Sequence, residues 1–143
     1  MKAEYSFHHI GILTPSIKEA IRLYVATFHY AETSTVIAIP TPGILVSSLE
    51  REGSPRIELI EPTDKESPLG KRALSGTGGY HLGWSVPDLK SAQVDLEENG
   101  FHGMAPFTSS LWENSRCLFM VGPNQELIEF IENPAESSIN QTS

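Results

Sequence analysis

Residues 7–24 read FHHIGILTPSIKEAIRLY and residues 79–96 read GYHLGWSVPDLKSAQVDL, so the chain resembles itself. That internal repeat limits its fold more than any other feature, because a duplicated unit must find a structure that works twice. A shift of 72 positions lays His81 on His9, Gly83 on Gly11, Pro87 on Pro15, Lys90 on Lys18 and Ala92 on Ala20. A shift of 71 lays LIEFIE, ending at Glu132, on RIELIE, ending at Glu61, and places Glu129 on Glu58. The two shifts differ by one residue, so a single insertion or deletion reconciles them.

Each half has the same local grammar. Residues 6–14 and 80–86 are short apolar runs closed by Thr14-Pro15 and Val86-Pro87, which predicts strands ended by a breaker. Ser16 and Asp88 then stand at helix N-cap positions. Ile17, Ala20, Ile21 and Tyr24 follow the first, and Leu89, Ala92 and Leu96 the second, each set an apolar helical stripe. Asn99-Gly100 is a stop signal for the second helix. Strand-like segments come next, at 33–40, 44–50 and 56–61 in one half and at 102–109, 116–121 and 126–132 in the other. Gly122-Pro123-Asn124-Gln125 is the clearest turn. The expectation is one α+β domain over 1–132, made of two βαβββ modules at about 6–61 and 79–132. A linker at 62–78 includes a short helix over 67–75 and passes into the second module through a flexible joint at Gly76–Gly79, and a flexible tail covers 133–143. Two such modules, each with a sheet face it cannot cover alone, pair around a shared cleft.

Composition narrows the function classes. A chain of 143 residues with 39% hydrophobic and 20% charged residues is globular. Its net charge of −8, from 18 acidic and 10 basic residues, lacks the basic footprint of a nucleic-acid binder. Lys65, Lys71 and Arg72 form the only basic cluster. No apolar run approaches the roughly 20 residues needed to span a bilayer, and MKAEYSFHH has no signal-peptide core. With a single cysteine, Cys117, the expected setting is the cytoplasm, away from membranes and nucleic acid.

Strand alternation carries the chemistry. His9 and Gly11 share one face of their strand, as do His81 and Gly83. Glu58 shares a face with Arg56 and Ile60, Glu129 with Leu127 and Ile131. A glutamate between apolar neighbours in a buried strand is costly unless compensated. A divalent cation would satisfy all four of His9, Glu58, His81 and Glu129 at once, and imidazole with carboxylate suits zinc, nickel, cobalt, iron or manganese. By the same parity, Trp84 lies opposite His81 and belongs to sheet-to-helix core. Trp112, Arg116 and Arg56 are the candidate substrate contacts. His8, His29 and His102 carry no such role.

HHIGI, Gly-Tyr-His-Leu-Gly-Trp and Leu-Ile-Glu-Phe together resemble the vicinal oxygen chelate superfamily. It includes glyoxalase I, methylmalonyl-CoA epimerase, extradiol dioxygenases and the bleomycin and fosfomycin resistance proteins. The resemblance covers residues 6–132, and Arg56-Ile-Glu-Leu-Ile-Glu-Pro62 with Ser67-Pro68-Leu69 is most similar to methylmalonyl-CoA epimerases and glyoxalase-like proteins. It implies a metal held by His9, Glu58, His81 and Glu129, and usually a homodimer. The implied reaction is isomerase or lyase chemistry on an acyl thioester, a 2-oxo acid or a thiol adduct. The metal chelates two neighbouring substrate oxygens and stabilises an enolate or enediolate. Glu129 is the implied base and Glu58 the second. Some epimerases carry a separate glutamate base on the preceding strand; the matching stretch, Gly43 to Leu49, has none, which leaves the reaction open. A ligand-sequestering resistance protein and a ring-cleaving dioxygenase are the alternative functions of the same fold.

Overall fold

A computed structural model describes residues 4–75 and 79–134. The joint residues 76–78 and the tail from 135 lie outside the described residues. Contacts group the chain into two compact units: His9–Tyr80 in one, and the residues up to His8 together with those from His81 in the other.

In the first unit, strand β1 (Ser6–Leu13, from His9 onward) leads to helix α1 (Ile17–Ala26), short strands β2 (Ala31–Glu32) and β3 (Ile37–Ile39), then β4 (Ile44–Glu50) and β5 (Ile57–Pro62). Helix α2 (Pro68–Leu74) closes it. The sheet order is β2-β4-β5-β1, with β3 also on β4. Strand β5 runs parallel to β1 and antiparallel to β4. The second unit repeats the plan: β6 (Gly79–Val86, from His81), α3 (Leu89–Glu97), β7 (His102–Gly103), β8 (Phe107–Ser109), a 3-10 turn at Ser110–Trp112, β9 (Ser115–Val121) and β10 (Leu127–Glu132). Its order is β6-β10-β9-β7, with β8 also on β9 and β10 parallel to β6. The residues before His9 pack here. The Tyr5 ring lies 5.8 Å from Phe130 and Phe7 meets Trp84 edge-on at 5.6 Å.

The predicted caps form. Ser16 Oγ accepts the Glu19 N–H and the Asp88 carboxylate accepts the Ser91 N–H, each at 3.2 Å. Each helix lays its stripe on one sheet face. Ile17 packs with Leu49, Ile57, Leu59 and Tyr30, and Leu89 and Ala92 pack with Leu118, Met120 and Phe130. Trp84 joins that second core, as its parity requires.

Sequence patterning missed a third pairing. The Glu61 carboxylate accepts the Ile17 N–H and the Glu132 carboxylate accepts the Leu89 N–H, each at 2.8 Å. Both glutamates tie the last strand of a module to the first turn of its helix, where N–H groups lack helical partners. The clue was in the repeat, since Glu132 falls on Glu61 in the same alignment that places Glu129 on Glu58. The helix stops also match in function but not in residue type. Gly100 takes φ +87° after α3, and His29 takes φ +60° after α1. A left-handed residue lets the chain leave the helix, and histidine is among the non-glycine residues that tolerate it.

The strand expected at 102–109 is broken into β7 and β8, and the one expected at 33–40 forms only over Ile37–Ile39, with β2 ending before it at Glu32. Pro106 has no N–H to give to a ladder. In the first unit the Thr33 N–H still bonds the Ser48 carbonyl at 2.9 Å, and side chains add to it: Thr33 Oγ1 donates to the same carbonyl at 3.0 Å and Ser34 Oγ accepts the Ser48 N–H at 3.1 Å. The expected helix at 67–75 forms as α2, capped by Ser67 with Pro68 in its first turn.

Candidate functional site

Parallel pairing of the first and last strands builds the same half-site in each unit. In the first, Gly11 is the register partner of Glu58. In the second, Gly83 is the register partner of Glu129. A glycine beside the glutamate leaves the space a side chain would fill, and two residues earlier on the same face stands a histidine. The carboxylates accordingly reach those rings: Glu58 Oε1 lies 3.0 Å from His9 Nε2, and Glu129 Oε1 lies 3.2 Å from His81 Nε2.

All four side chains are buried: His9 is 0% exposed, Glu58 3%, His81 3% and Glu129 2%. Such burial is costly for ionisable groups and is tolerated when each finds a partner of suitable chemistry. Each pair presents one imidazole nitrogen and one carboxylate oxygen, the donor types that borderline divalent ions take. Each half is therefore fitted to supply ligands to a metal.

The surroundings of the two pairs differ. Across the antiparallel ladder Glu58 faces Ser48, whose hydroxyl lies 2.8 Å from Thr33 Oγ1. Glu129 faces Phe119 instead. The Phe119 ring stacks on Phe107 at 5.5 Å, and His81 meets it edge-on at 5.1 Å. Neither Ser48 nor Phe119 is marked by sequence pattern, because cross-strand register is needed to bring it beside its glutamate.

The other site candidates are held by partners within their own units. Arg56 Nε bonds Glu50 Oε1 at 2.9 Å. Arg116 lies on β9 between two inward residues and sits 3.8 Å from Glu132. Trp112 is buried with Cys117 and Ile131, and the His8 ring meets it edge-on at 4.6 Å. Of the basic cluster, Lys65, Lys71 and Arg72 are all exposed. Among the described residues no helix is long and apolar enough to cross a membrane.

Comparison with known proteins agrees with this architecture. The model of a family described as the Glyoxalase/Bleomycin resistance protein/Dioxygenase superfamily matches residues 8–109. A hypothetical protein from Bacillus halodurans C-125 is similar in structure, with TM-score 0.74 and 26% identity over 91% of this chain and 95% of that one. Methylmalonyl-CoA epimerase from Mycobacterium tuberculosis has TM-score 0.73 and 24% identity over 92% and 91%. A variant of the Streptomyces coelicolor methylmalonyl-CoA epimerase in complex with 2-nitronate-propionyl-CoA has TM-score 0.72 and 21% identity over 89% and 96%. No curated protein matches the chain in sequence.

Proposed function

The chain belongs to the glyoxalase, bleomycin resistance protein and dioxygenase superfamily, and from that premise we propose that it is a metal-dependent isomerase or lyase of the epimerase or glyoxalase type. In this reading His9, Glu58, His81 and Glu129 hold one divalent ion of zinc, nickel, cobalt, iron or manganese. The observation that carries the reading is the duplicated half-site, two buried His–Glu pairs at 3.0 and 3.2 Å. Two such pairs offer the four donor groups that one ion would take.

When bound, such an ion polarises a carbonyl oxygen and so acidifies the neighbouring C–H. The protein's own part is to place a base and exclude water. Glu129 is the proposed base, accepting that proton on a carboxylate oxygen, and Glu58 is the second candidate. His81 Nε2 stands 3.2 Å from the Glu129 carboxylate, close enough for both to serve one ion. Burial of both carboxylates keeps bulk water from competing for the proton. No carboxylate occupies β4 before Glu50, so the preceding strand supplies no base beside Glu58. Arg56 and Trp112 are the proposed substrate contacts, with Arg56 first because it precedes Glu58 by two residues. Arg116 is set aside, because it shares the Leu118 and Met120 face of β9 rather than that of Phe119 and Glu129. The substrate is a small acyl thioester, 2-oxo acid or thiol adduct, and the protein works as a homodimer in the cytoplasm.

Elemental analysis of the purified protein, paired with solvent deuterium exchange into candidate acyl-CoA and 2-oxo substrates, tests the proposal. About one divalent ion per chain with exchange at the carbon beside the carbonyl is the expected result. Protein that holds no metal and regains none on titration ends the reading. A ligand recovered unexchanged and intact would instead identify a sequestering protein, and oxygen consumption with catechols and ferrous iron a dioxygenase.

A further inference from the structure

The two half-sites carry identical ligand pairs but opposite walls, and the difference bears on which substrate fits. At the position directly across the ladder from its glutamate, the first unit has the hydroxyl of Ser48 and the second has the ring of Phe119. Directly opposed residues of an antiparallel pair point to the same sheet face, so Phe119 shares the Glu129 face. Its contact with His81 at 5.1 Å agrees with that placement. Phe107 supports it from β8 at an interplanar angle of 20°. Phe107 is in turn packed against the buried Trp112, Cys117 and Ile131.

An apolar wall beside a buried carboxylate does not help ionisable groups, which hydroxyls or water serve better. Nor is the pair submerged in core: Phe119 and Phe107 are both only partly buried, while Leu118 and Met120 on the alternate face are fully buried. A stacked aromatic pair left partly open next to a chelating centre is suited to an apolar, flat group carried by the bound molecule.

We infer that Phe119, backed by Phe107, is the specificity-determining wall of the His81–Glu129 half-site, and that it selects substrates with an apolar, preferably aromatic, substituent next to the two chelating oxygens. The inference rests on the proposed metal reading and adds to it a substrate class. Small polar substrates gain nothing from this wall. An aryl or branched acyl group covers it and excludes water from the reacting carbon.

Acetohydroxamate and benzohydroxamate provide the test. Both chelate a metal through two neighbouring oxygens, and they differ in a methyl against a phenyl group. Calorimetric titration of each into the metal-loaded protein gives a ratio of affinities, to be compared with the ratio for the free ion. Benzohydroxamate is expected to be favoured by about three- to tenfold beyond the free-ion ratio, the range of one aromatic pair. Phe119→Ala should abolish that excess and leave acetohydroxamate affinity within about twofold, while Phe119→Tyr should keep it. Should Phe119→Ala fail to fold, Phe119→Leu preserves apolar volume without a ring and should still lose most of the excess. An excess absent from the wild type, or unchanged in these variants, overturns the inference and leaves the metal reading standing. If neither hydroxamate binds and no metal is retained, the metal reading falls and this inference with it.

Discussion

Replacing Glu129 with glutamine separates the cost of burying this side chain from its value as a ligand. The side chain is 2% exposed and 3.2 Å from His81 Nε2, and glutamine reproduces its shape and one of its acceptors. In metal-free protein the amide keeps the side chain's shape and a hydrogen-bonding oxygen beside His81, so stability should change by no more than about 1 kcal/mol. The metal-loaded protein behaves differently. An ion at about 100 times its Kd stabilises the native state by about 2.7 kcal/mol, which for a chain of this size raises Tm by roughly 11 °C. Loss of one of four ligands should weaken binding at least as much as loss of a supporting partner, about 100-fold. At the same metal concentration the gain then falls to about 0.4 kcal/mol, or roughly 2 °C. Thermal unfolding of wild type and Glu129→Gln, each with a chelator and with added zinc, nickel, cobalt or manganese, reads both numbers. Glu58→Gln should behave alike, since it is the same residue in the other copy. A Glu129→Gln protein that gains the full wild-type shift would refute the assignment of Glu129 as a ligand.

Other expectations concern the scaffold. Glu132→Ala and Glu61→Ala each remove the acceptor of a helix-start N–H at 2.8 Å, and each should lower stability by about 1 kcal/mol in denaturant unfolding. Leu59→Ala empties a fully buried position under α1 and should cost about 2–5 kcal/mol in the same assay. Hydrogen bonds from Ser91 hold the Asp88 carboxyl below its ordinary range. Its contribution is therefore present above the ordinary aspartate pKa and lost as pH falls through the lowered one, so Asp88→Asn, which keeps a cap, should flatten the acid limb of the unfolding curve. Burial, followed by the bond to Asp95, pushes the Tyr5 hydroxyl up to about 12. Stability from that group is present below pH 10 and lost as pH rises through about 12, and Tyr5→Phe should remove this alkaline loss.

Much of this was readable before any coordinates. The repeat marked the strand, cap and helix that open each half, because a duplicated sequence reuses its local signals: proline after the strand, a capping residue, then a helical stripe. It also singled out His9, Glu58, His81 and Glu129 as candidates, since identical polar residues stand at equivalent strand positions, and the structure pairs and buries them. Parity assigned Trp84 to the core because alternation along a strand is local geometry. What escaped were interactions between distant segments. Thr33 and Ser34 bond the Ser48 backbone through their side chains, a partner on β4. Glu61 and Glu132 cap helices that begin more than forty residues earlier in the chain. Arg116 meets Glu132, a partner supplied by a different strand.

The same division runs through the candidate site. The imidazole and carboxylate residues of the candidate site and their repetition in two copies follow from the order of amino acids, because each signal lies within one strand. The wall beside each glutamate does not. Ser48 and Phe119 stand opposite Glu58 and Glu129 through antiparallel register, which is set by the turns and cores that align whole strands. Folding therefore decides how two equal half-sites acquire one hydroxylic and one aromatic flank.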